Sequence, residues 1–137
     1  MFHIAKTFIL LLGILASAGP LLFASAKAAE SSAFIKEVAK DWDQAAFTLE
    51  DETKQSAALQ DINRQLSAAL KTDPNDAAAR AWRGIVLATE ANSLSGLTAL
   101  KRADEARKEL ESAIAQNPDP SGDGFAVAIL GALYDAA

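Results

Sequence analysis

Asp119, Ser121 and Asp123 stand two residues apart and are followed by Gly124, the alternation of oxygens and the sharp turn with which a calcium loop begins. Such a loop closes on a bidentate glutamate at its twelfth position. Leu130 stands there, so the stretch reads as a polar connector in which Asp123 caps the next helix. Other reactive groups are few. The 137 residues include no cysteine and one histidine, His3, which excludes disulfides, thiolate nucleophiles and cysteine zinc sites. Paired carboxylates would be the remaining route to acid–base catalysis. Asp41 and Asp43 are too close in sequence to share a helix face, and Glu50, Asp51 and Glu52 read as a solvated turn. Trp42 and Trp82 are either binding anchors or core residues. No catalytic residue, metal ligand or cofactor site is assigned.

The residues before Ala29 read as a secretory leader. His3 and Lys6 provide a weakly positive start, and an uncharged run from Thr7 to Ala26 follows, broken by Gly19-Pro20. Ala26 and Ala28 fit an Ala-x-Ala cleavage site, making residues 1–28 a signal peptide and 29–137 the mature domain. An uncleaved anchor is the alternative, since the run is about long enough to cross a bilayer. Cleavage removes His3, Lys6 and Lys27 and leaves 11 basic against 18 acidic side chains, a formal charge of −7. Without histidine or cysteine, the exported chain has no Ser-His-Asp triad, and its acidity argues against nucleic acid as a partner.

The mature part suits one small domain, and its composition suits helices. Alanine, which loses least on entering a helix, occurs 31 times in the chain. Phe34, Val38, Trp42, Ala45 and Leu49 form one apolar stripe, with Ser31 or Ser32 as its cap. The stretch Glu50 to Gln55 is expected to be a turn. Leu59, Ile62, Leu66 and Leu70 form a second stripe, ending at Thr72-Asp73-Pro74-Asn75-Asp76, where Asp76 can cap a third helix over Ala77 to Asn92. A fourth helix is expected over Leu97 to Gln116 and a fifth from Phe125 to Tyr134.

Ile62, Leu66, Ala69, Leu70 and Pro74 match Ala106, Leu110, Ala113, Ile114 and Pro118 at a constant offset of 44. A helix repeated with its Pro turn suggests stacked helix hairpins. The chain here resembles the tetratricopeptide repeat, in which Ala-x3-large apolar-x2-Ala on the second helix precedes a turn proline. Ala106, Leu110, Ala113 and Pro118 carry that pattern, as do Leu66, Ala69 and Pro74 with Ile62 in place of the first alanine. Leu130, Gly131 and Tyr134 match the Leu-Gly-x2-Tyr of a first helix, and Gly84 lies at the family's distance from Pro74. The departures are a period of 44 rather than 34, which requires longer helices or a larger turn between Thr89 and Lys101, and Trp82 standing only two residues before Gly84. An unrelated antiparallel helical bundle is the alternative fold.

The resemblance implies an all-α chain of about five helices, a TPR-like α-solenoid whose third repeat is incomplete, as in the N-terminal part of a longer repeat protein. It implies an inner surface lined by first helices, here Ala78, Ala81, Ile85 and Ala88, forming a shallow apolar groove without a carboxylate clamp. Arg80 and Arg83 flank it, either to meet an acidic ligand or to cover the helix and pair with nearby carboxylates. The expected function is non-catalytic protein or peptide binding in the bacterial envelope, periplasmic or secreted, with membrane contact only through an uncleaved leader. Self-association through the apolar fifth helix is also expected. A carboxylate-dependent enzyme fragment and a signal-anchored structural bundle are the alternatives. Mass spectrometry of protein recovered from a periplasmic fraction should find a chain beginning near Ala29; intact Met1 in the membrane pellet would instead identify an anchor.

Overall fold

Alanine at 26, 28, 29 and 33 lets the first helix, α1, run through residues 26–47, so Ser31 and Ser32 lie inside it rather than at its start. The computed structural model of the protein describes residues 26–136, five helices with no strand among them. Most of the segment read as a leader therefore lies outside the described residues. The chain divides at Phe34, and the unit from Ile35 onward holds the helices considered below.

The remaining helices are α2 (Glu52–Thr72), α3 (Ala77–Asn92), α4 (Gly96–Gln116) and α5 (Phe125–Ala136). The polar stretch expected to be a turn is mostly the start of α2. Asp51 is its N-cap, its carboxylate accepting from the backbone N–H of Thr53 at 2.9 Å and of Lys54 at 3.0 Å, which leaves the polar side chains on an exposed first turn. Asp76 caps α3 in the same way through Ala79 N–H. Between α3 and α4 only residues 93–95 intervene, with Gly96 at φ +59° completing the reversal. The longer period thus resides in longer helices, not in a larger turn.

Helix α3 is buried on every side, from Ala79 and Ala81 through Trp82, Ile85, Val86 and Leu87 to Ala88. It packs against α2, α4 and α5, and α5 also lies on α4, whereas α2 and α4 do not approach each other. The tightest approach is between α3 and α4. A Cβ built on Gly84 would stand 2.6 Å from Leu110 Cγ and 3.1 Å from the carbonyl oxygen of Ala106. A polar clip spans three helices beside it. Glu109 of α4 pairs with Arg80 at 3.4 Å and Arg83 at 3.3 Å, and Arg83 Nε–H donates to Asn63 and Ser67 of α2.

The 44-residue correspondence is structural. Helices α2 and α4 begin and end 44 residues apart, and Ile62, Leu66, Ala106, Leu110 and Ala113 are buried, with Ala69 partly covered. The C-terminal caps repeat as well, although Ser95 makes no side-chain cap bond where Asp51 makes two. Asp73 N–H donates to Ala69 O and Asn117 N–H to Ala113 O, each at 2.9 Å. The Asp73 carboxylate accepts from Asn75 N–H, as the Asn117 carboxamide oxygen accepts from Asp119 N–H. Pro74 and Pro118 sit exposed in these turns. Exact repetition stops there, because the second connection runs from 117 to 124 and the first only from 73 to 76.

Helix α5 is apolar around most of its circumference but covered on one side. Ala126 is buried and Ile129 and Leu133 pack against Leu87, Ala88 and Ala106, so these two face inward. Val127 and Tyr134 are about half exposed, and a Cβ on Gly131 would meet nothing within 4 Å. Gly131 and Tyr134 therefore differ from Gly84, whose open face is filled by α4. Tyr134 instead donates its O–H to Glu111 of α4, which also accepts from Arg107. The two glycines should respond oppositely to alanine. Gly84→Ala is expected to cost about 1 to 3 kcal/mol through overpacking, and Gly131→Ala to add up to about 1 kcal/mol from helix propensity, measured by urea unfolding.

Candidate functional site

Trp42 lies on the inward stripe of α1, five residues before Phe47 at the helix end. Its indole N–H donates to Thr89 Oγ1 at 2.9 Å, and that hydroxyl in turn donates to Ile85 O of α3. This chain of bonds holds the indole plane in place. Trp82 of α3 and Phe125 of α5 close on the same ring, with centroids 5.9 Å and 5.3 Å away, while Phe47 stands nearly perpendicular to it at 5.6 Å. Each contact is of the tilted or edge kind that aromatic quadrupoles favour. Trp82 lies inside the core, its own indole N–H buried without a partner.

Two local devices fix the outer rings. Gln55 of α2 reaches back to donate to the carbonyls of Ala45 and Ala46, capping the end of α1 just where Phe47 projects. Phe125 opens α5, and its N–H donates to Asp123 Oδ1 while Ala126 N–H donates to Ser121 Oγ. Asp119 organises the same loop by accepting from the N–H groups of Gly122 and Gly124. The oxygens that resembled half of a calcium loop are thus bonded to backbone, and they position an aromatic ring.

Between these elements lies an open cleft of about 530 Å³, larger than the depressions of about 320 and 230 Å³ elsewhere on the domain. Trp42, Phe47, Phe125, Ala88 and Ile129 form its apolar wall. Phe47 is 75% exposed. Glu52, Gln55, Thr89, Asn92 and Ser93 supply polar groups, and among the described residues no lysine or arginine lines it. Gln55, Thr89 and Ser93 are bonded to backbone carbonyls, whereas the Glu52 carboxylate and the Asn92 carboxamide have no partner among the described residues.

No family model, curated protein or solved structure matches this chain.

The groove expected along Ala78, Ala81, Ile85 and Ala88 is not where the open surface lies. Ala81 and Ile85 are fully buried and Ala78 is partly covered, because α3 is the central helix and its neighbours close over it. Ala88 is the one position of the four that reaches the cleft. Arg80 and Arg83 are held by Glu109, with Arg80 also donating to Pro74 O at 2.8 Å. They act as cross-helix ties. Asp41 borders the depression of about 230 Å³ together with Asp61, but Asp61 is bonded to Arg64 and Gln65.

One buried group went unread in the sequence. Glu90 is 8% exposed, with Oε2 3.3 Å from Arg102 Nε and Oε1 buried without a hydrogen bond. Desolvation pushes its carboxyl above the usual glutamate range, and Arg102 opposes the shift. The signal available was a lone carboxylate between Gly84 and Ala91, a stretch otherwise almost wholly apolar. Because the folded state holds this proton more tightly, stability falls as pH rises from the ordinary glutamate value through the raised one. Thermal melts across that window should show wild type losing ground to Glu90→Gln as pH increases. A pH-independent difference would assign the shift elsewhere.

Proposed function

We propose that this protein is a non-catalytic, TPR-like module that binds a protein or peptide partner as an accessory or scaffold subunit of the bacterial cell envelope. The observation that carries the reading is the open aromatic cleft where α1, α3 and α5 meet, rigidly backed and lined by unpaired hydrogen-bonding groups. Small concave sites with aromatic walls and a few directed polar groups are the usual form of a recognition pocket. Repeat stacking is supported by the 44-residue correspondence of helix limits and C-terminal caps, and by a packing order in which each odd-numbered helix from α3 on touches the helix before it while α2 and α4 stay apart. The cleft contains one carboxylate, Glu52, and no second acid or base beside it, so binding suits it better than acid–base catalysis.

The periplasmic or secreted location rests on the leader alone. Among the described residues no helix is long and apolar enough to cross a membrane. Association of copies is a second reading, favoured by the outer face of α5, where Val127 is 46% and Tyr134 54% exposed. Replacing Ile129 and Leu133 would not test it, since both are packed inward.

Selection of a displayed decapeptide library on the purified protein tests the binding reading. Recovered peptides should bind Phe47→Ser at least about tenfold more weakly than wild type, a loss of about 1.4 kcal/mol, and Val127→Ser unchanged. Recovery of no peptide that distinguishes Phe47→Ser from wild type would overturn it.

A further inference from the structure

We propose that the anchor accepted by this cleft is a basic side chain, arginine above lysine, presented by the partner peptide. The inference rests on the binding reading above and names what the site selects. Three observations carry it. Trp42 and Phe47 meet almost at a right angle and Phe125 is inclined at 60° to the same indole, so the cleft offers aromatic planes in more than one orientation, against which a planar guanidinium and its stem can lie. Glu52 and Asn92, the two unpaired side chains of the lining, are acceptors that fit cationic N–H donors. Among the described residues no basic side chain lines the cleft to repel such a group, and the chain as a whole is acidic, with a formal charge of −5.

An aliphatic anchor fits less well. It would fill the same volume but strip water from the Glu52 carboxylate and the Asn92 carboxamide without replacing its hydrogen bonds. An acidic anchor would meet Glu52 with like charge. Arginine matches both the rings and the acceptors in kind, since its five donors can serve a carboxylate and a carboxamide while its plane stacks on an aromatic face.

The chain has two tryptophans, so its indole N–H region in a proton–nitrogen NMR spectrum holds two signals, Trp42 at the cleft and Trp82 in the core. Titration with the capped pentapeptide Gly-Gly-Arg-Gly-Gly should move the Trp42 signal to saturation. Peptides carrying citrulline or norleucine at the centre should bind at least about fivefold more weakly, and Glu52→Gln should weaken the arginine peptide by a similar factor. An unmoved Trp82 signal verifies that the variant is folded, as expected for an exposed first-turn position. Equal or tighter binding of the norleucine peptide would overturn the inference while leaving peptide binding in place. Indifference of the arginine peptide to Glu52→Gln would overturn it too. Absence of any Trp42 shift at millimolar arginine peptide also overturns it, whatever the library selection yields.

Discussion

The domain depends on how closely α4 can approach α3. Leu110 occupies the space that a side chain at position 84 would need, and the Ala106 carbonyl borders the same space. With that distance set by a missing methyl group, Leu87, Ala88 and Ala106 join one core to which Ile129 and Leu133 of α5 add their side chains. The shape of α3 follows the same logic. A helix covered on every side must be narrow, and alanine supplies narrowness without giving up helix propensity. Trp82 is the largest apolar side chain on α3, and it sits where the aromatic cluster can receive it.

Polar ties then restrict sliding, which apolar packing alone resists weakly because it is non-directional. Glu109 is the clearest case, joined to two arginines of α3, one of which also reaches α2. Tyr134, Glu111 and Arg107 serve the last helix in the same manner. The surface pairs along α4, such as Lys108 with Asp104, are of the solvated i,i+4 kind and contribute little.

Much of the fold was legible because its signals are local. The limits of α3, its Asp76 cap and the turn after α2 follow from residue types at fixed offsets, and the 44-residue match identified which side chains would be buried in α4. Of the two readings of Arg80 and Arg83, pairing with a nearby carboxylate is the one the structure shows, with Glu109 of α4 as the partner. The cleft was not legible. Its walls come from Phe47, Glu52, Thr89, Asn92 and Phe125, which belong to three separate stretches of the chain, and none repeats at the offset of 44. Phe47 was also off the first apolar stripe, and a side chain outside the stripe is ordinarily assigned to solvent. The groove placed on Ala81 and Ile85 failed for a related reason. Periodicity finds an apolar face but does not say whether another helix already occupies it.

The junction of α1, α3 and α5 has an optical consequence. Both indoles of the chain stand there, with ring centroids 5.9 Å apart and planes inclined at 63°. Chromophores so close and so inclined couple their electronic transitions, so this pair should contribute a coupled signal to the near-ultraviolet circular dichroism of the protein. The pair brings together α1 and α3, and Phe125 wedges against both from α5. Departure of either outer helix would therefore alter the spectrum while the α3–α4 hairpin stayed intact, giving the molecule an intrinsic reporter of partial opening.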